Sequence, residues 1–73
     1  NRSVQTVLRN AIDRGQLSPD LDVRLGTIAV VSFIHGLIAN WVLTPDMFDI
    51  KGDAPALIEG LLQMLRTMGR PAA

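Results

Sequence analysis

Residues Leu25–Leu43, LGTIAVVSFIHGLIANWVL, carry no formal charge, and their only strongly polar side chains are His35 and Asn40. With the lead-in from Pro19 the stretch predicts a helix of roughly 35 Å at 1.5 Å rise per residue. Spaced at 100° per residue, Leu21, Leu25 and Ile28 fall on one side. Val23, Val30, Ile34, Leu37 and Trp41 fall on the opposite side, with Val31, Ile38 and Val42 along one flank. The remaining flank holds Gly26, Ala29, Ser32, Gly36 and Asn40, with Phe33 among them. A helix apolar nearly all round either crosses a membrane or is wrapped by other helices.

The flanking sequence favours wrapping. His35 and Asn40 are costly in lipid, Lys and Arg show no asymmetry around the stretch, and Trp41 is its only belt-type aromatic. Toward the N-terminus, Val4, Val7, Leu8, Ala11 and Ile12 follow helical spacing and predict a helix over about residues 2–14, ended by Gly15. Ser18-Pro19-Asp20 reads as the start of the long helix, with Ser18 as cap and Asp20 and Asp22 near the positive dipole end. Those aspartates could also form an acid–base pair or a cation site, but cap and dipole chemistry accounts for them.

Thr44-Pro45-Asp46 stops the long helix, and residues 44–53 read as a structured loop with Met47, Phe48 and Ile50 available to pack down. Leu57, Ile58, Leu61, Leu62, Leu65 and Met68 then make the cleanest stripe in the chain, a helix over about residues 54–68. Pro55 argues for a start at Asp53, where a missing donor costs nothing. Gly60 in mid-helix is easier to accept where another backbone approaches closely. Gly69 ends this helix, and Pro71–Ala73 are expected to fray. The expectation is an all-α fold: three helices, about 2–14, 19–43 and 54–68, the last two an antiparallel pair.

Composition limits what such a chain does. Seven basic and seven acidic residues cancel in a chain of 73, leaving no electrostatic footprint for nucleic acid or anionic lipid. There is no cysteine for a disulfide or thiolate metal site, which permits a cytoplasmic location. A single histidine leaves little for nucleophilic catalysis, no phosphate-binding glycine loop is present, and neither metal nor cofactor is expected. At 48% hydrophobic residues, so short a chain has more apolar surface than it can bury alone, which points to an oligomer. The chain begins at Asn1 without a basic leader, close to a helical pattern already running, as expected of a segment of a longer protein. His35 is either a satisfied, partly buried side chain or the one polar group of an apolar small-molecule pocket.

Gly36-Leu37 and Trp41 form a G-L-x-x-x-W element, followed by Thr44-Pro45, by Phe48-Asp49-Ile50 and by a leucine-rich helix. Gly15 to Asp22 supply a preceding G-x-L-x-x-D-L-D. In combination these motifs resemble the C-terminal ligand-binding and dimerisation region of TetR-like repressors, in particular the AcrR-type branch controlling multidrug efflux. The resemblance implies that residues 1–73 are a single effector and dimerisation fragment, with its last two helices in a homodimeric four-helix bundle. It implies a pocket for an apolar or amphipathic effector at Val31, Ile34 and His35. It further implies a dimer seam of Phe33, Gly36, Leu37, Asn40 and Trp41, with Leu57, Leu61 and Leu65. DNA would be met only through an N-terminal domain outside this chain, and no membrane is involved. Pro55 departs from the family, whose members more often run a continuous helix there. The alternative is a stand-alone helical interaction module without a small-molecule role.

Overall fold

The computed structural model describes residues 2–70, so the expectation for Pro71–Ala73 lies outside the described residues. The fold is all-α: α1 spans Arg2–Asp13, α2 Val23–Leu43 and α3 Ile50–Met68. α2 is the centre of the arrangement, with α1 and α3 each packed against it.

α1 ends as its sequence predicts. Gly15 adopts φ 74°, and its N–H donates to Ile12 O at 3.0 Å while that of Gln16 reaches Ala11 O at 2.8 Å. The left-handed residue thus satisfies carbonyls that the helix leaves open.

The start of α2 corrects the sequence reading. Ser18-Pro19-Asp20-Leu21 is a turn, in which the Leu21 N–H donates to Ser18 O at 3.1 Å and the Asp20 N–H to Ser18 Oγ at 3.1 Å. The cap is Asp22, whose Oδ1 accepts from the Leu25 N–H at 3.2 Å, so the helix begins at Val23 and not at residue 19. Proline at the second position of a turn and at the first position of a helix uses the same fixed φ. Tertiary packing chooses between them: Leu17 and Leu21, on either side of the turn, both enter the core.

The start of α3 corrects it in the other direction. Asp49 is the N-cap, its Oδ1 accepting from the Lys51 N–H at 3.2 Å, while its own N–H donates to Asp53 Oδ2 at 3.0 Å. This reciprocal cap begins the helix at Ile50 and carries it through Pro55. The proline removes only the bond to Lys51 O, on an exposed turn where water can donate to the carbonyl. Of the three apolar residues expected to pack down from this loop, Phe48 and Ile50 are half-buried and Met47 stays exposed.

The core lies at one end of the molecule. Leu8, Leu17, Leu21 and Leu65 form it, with Val4, Ala11, Ile12, Val23, Val30 and Leu61 packed around them. A Cβ on Gly26 would stand 3.2 Å from Leu8 Cδ1, so the glycine lets α1 cross α2 closely. Thr27, buried beside it, donates from Oγ1 to Val23 O at 2.7 Å and leaves no polar atom unsatisfied.

The other end is open. Ile38, Trp41, Val42 and Leu43 on α2 and Met47 after it are all exposed. The accessible surface is 5435 Å² for a 7.9 kDa chain. A folded monomer of that mass has about 4,400 Å². The excess, roughly 1,000 Å², is close to the ~800 Å² that one partner contributes to a standard interface. The radius of gyration agrees, at 13.6 Å against the ~11 Å of a compact domain of this length.

Candidate effector and dimerisation surfaces

α2 presents two functional candidates on different sides of one axis. Val23, Gly26, Thr27, Val30, Phe33 and Leu37 are buried or half-buried positions along it. Their spacing of three and four marks the side that meets α1 and α3. Phe33, Gly36, Leu37 and Asn40 fall within about 100° of one another on the helix, with Trp41 at the edge of that arc. Val31 and His35 lie across the axis from them, with Ile34 between.

Among the seam residues, Phe33, Leu37, Leu57 and Leu61 are half-buried, Gly36 and Asn40 are exposed, and Trp41 keeps 45% of its surface accessible. A Cβ on Gly36 or on Gly60 would meet nothing within 4 Å. Neither glycine is required by packing inside the chain. Leu65 is different: it is 3% exposed and is spent on the chain's own core, against which Leu61 also packs.

Val31 is half-buried, while Ile34 and His35 are exposed. The structure does not bring these three into a closed cavity. A cleft of about 560 Å³ lies elsewhere, between α1 and α3. Val4, Val7, Leu8 and Ala11 form one wall and Leu61, Leu62 and Leu65 the other, with Val30 and Leu17 between them. Its polar groups are Ser3, Gln16 and Arg66. Sequence reasoning found both stripes but not the gap between them, because helical periodicity shows which side is apolar and not how far apart two such sides stand.

The described residues hold no group of three or more His, Asp or Glu that could bind a metal. Their one salt bridge, Arg66–Glu59 at 3.7 Å, is largely solvated and worth little. α2 has the length and composition to cross a membrane, a test that a core or interface helix of a soluble protein also passes.

Comparison with known proteins identifies the family. The model of the MAATS-type transcriptional repressor C-terminal region matches residues 1–67. The chain is 38% identical over 66 residues to "Probable HTH-type transcriptional regulator ArpR" of Pseudomonas putida, covering 90% of the chain and 31% of that protein. It is 36% identical over 66 residues to the HTH-type transcriptional regulator TtgR, also of Pseudomonas putida, with the same coverage. To the HTH-type transcriptional regulator AcrR of Shigella flexneri it is 33% identical over 61 residues, covering 84% of the chain and 28% of that protein. The chain therefore spans about a third of the length of these relatives, which are named as transcriptional regulators. No solved structure matches it. A helix-rich chain with an uncovered central helix and a family match along nearly its whole length belongs to the TetR-type family of MAATS-type transcriptional repressor C-terminal regions.

Proposed function

We propose that residues 1–73 act as the dimerisation module, and supply part of the effector pocket, of a TetR-like repressor of the multidrug-efflux type. The excess of roughly 1,000 Å² of accessible surface carries this reading. It matches one protomer's share of a stable interface, and it is concentrated on the two helices that the family resemblance assigns to a dimer. In this reading α2 and α3 of two copies form a four-helix bundle through Phe33, Gly36, Leu37, Asn40, Trp41 and Leu57, with Leu61 and Leu65 supporting them from the core side.

An apolar or amphipathic effector lies against the other side of α2, at Val31, Ile34 and His35, enclosed by parts of the intact protein beyond these residues. Effector and operator DNA then weaken each other's binding, because each favours a different spacing of the DNA-reading heads, which lie outside this chain. The protein works in the cytoplasm, where its DNA is.

Sedimentation velocity over a dilution series tests the assembly. A dimer persisting to low micromolar concentration is the expected result. A folded monomer at all concentrations overturns the bundle and leaves a helical interaction module for some other protein.

A further inference from the structure

We infer that Met47 is an oxidation-sensitive site, at which hydrogen peroxide converts the thioether to a sulfoxide and makes the open end of the molecule polar. The chain has three methionines and no cysteine, so its sulfur redox chemistry rests on the methionines alone. The consequence for assembly rests on the proposed dimer, whereas the reactivity does not.

Two observations set Met47 apart from Met64 and Met68. It is 67% exposed, against 39% for each of the others. Access in proportion to these values gives it a lead of less than twofold. In addition, Thr44 Oγ1 stands 3.8 Å from its Sδ, and among the described residues no donor reaches the sulfur of Met64 or Met68.

The Thr44 hydroxyl has one proton and two acceptors in reach, Asn40 O at 2.9 Å and the Met47 sulfur. A thioether is the weaker acceptor, so the proton serves the carbonyl in the reduced protein. When peroxide arrives, a sulfur lone pair attacks one peroxide oxygen, and the S–O bond forms as the O–O bond breaks. Sulfur gives two electrons to the peroxide. The departing hydroxide takes the proton left on the transferred oxygen and leaves as water. Negative charge collects on the oxygen bound to sulfur, and Thr44 Oγ1 is placed to donate to it.

Asn40 O is not orphaned by that exchange, because the Thr44 N–H still donates to it at 2.8 Å. The C-cap of α2 therefore stays intact. The sulfoxide is held on the same open end that exposes Ile38, Trp41, Val42 and Leu43. Burying its oxygen against a partner costs more than burying a thioether, so oxidation opposes association.

The test treats the 73-residue chain with limiting hydrogen peroxide and follows each methionine by peptide mass spectrometry. Met47 is expected to oxidise about fivefold faster than Met64 or Met68. Thr44→Val should reduce that lead to the less than twofold that access gives, and Thr44→Ser, which keeps the donor, should preserve it. Circular dichroism should show unchanged helix content after oxidation of Met47.

In sedimentation velocity, oxidation should raise the dimer dissociation constant about tenfold. Met47→Leu should abolish that response, and Met47→Gln should reproduce it without peroxide. Equal rates at the three methionines, a lead that survives Thr44→Val, or a dimer indifferent to Met47 oxidation overturns the proposal. A chain that is monomeric before peroxide is added defeats the dimer reading instead, and the order of oxidation then decides this inference alone.

Discussion

A Cβ on Gly69 would stand 3.0 Å from the Cβ of Ser18, and 3.4 Å from that of Leu21. The last residue of the α3 cap is therefore pressed against the α1–α2 connection. Gly69 has φ −85°, which any residue can adopt, so space and not conformation calls for glycine there. The turn cannot easily yield, because Leu17 and Leu21 anchor both of its ends in the core. Gly69→Ala should cost about 1 kcal/mol in chemical denaturation, overpacking outweighing the entropy gained in the unfolded chain. A stabilised variant would show that the connection moves freely.

Gly15 is the reverse case. Its φ is 74°, and an added Cβ would meet nothing within 4 Å. Gly15→Ala should also lose about 1 kcal/mol, here from left-handed backbone strain alone. Gly15→Asn should recover much of that loss in the same denaturation experiment.

Gly36 and Gly60 make a prediction with two opposite signs. Neither has a neighbour within 4 Å of an added Cβ. In the isolated protomer, each replacement by alanine should stabilise its helix by about 1 kcal/mol. In the proposed bundle, where another backbone needs the space at Gly36, Gly36→Ala should raise the dimer dissociation constant about tenfold. Sedimentation and dilute-solution melting, taken on the same sample, separate the two effects. Gain in both would remove Gly36 from the seam.

The helix caps can be ranked. Asp22→Ala and Asp49→Ala each remove an N-cap acceptor and should cost about 1 kcal/mol. Ser18→Ala removes only a turn contact to the Asp20 N–H and should cost less. Amide exchange gives a sharper reading: Asp49→Ala should speed exchange of the Lys51 and Asp53 amides, which bond to the Asp49 side chain and carbonyl, and leave the Leu25 amide protected.

His35 and Trp41 should separate the two sides of α2. In the intact protein His35→Ala is expected to weaken effector binding about tenfold while the dimer survives, as loss of one placed polar group in an apolar pocket would. Trp41→Ala is expected to loosen the dimer, its side chain being 45% exposed in the protomer and available to a partner. Effector titration and sedimentation are the two readouts. An unchanged affinity for every effector found removes His35 from the pocket.

Helix number, order and approximate extent follow from local rules, since apolar spacing and terminators such as Gly15 act over a single turn of chain. The surplus of apolar surface on the middle helix was equally legible, because it is a matter of composition. The ends of α2 at Leu43 and of α3 at Met68 were legible too, but their starts were not. Ser18-Pro19-Asp20 suits a turn as well as a helix start, and only the entry of Leu17 and Leu21 into the core favours the turn. Pro55 weakens a helix by one bond, and the reciprocal Asp49–Asp53 cap on an exposed turn outweighs it. The placement of Leu65 in the core, and the cleft that Leu65 shares with Leu8, belong to the tertiary structure alone. Periodicity fixes the direction in which a side chain points from its own axis. The distance to the next axis is set by every pair of side chains that meets between them, and no single stretch of sequence contains that sum.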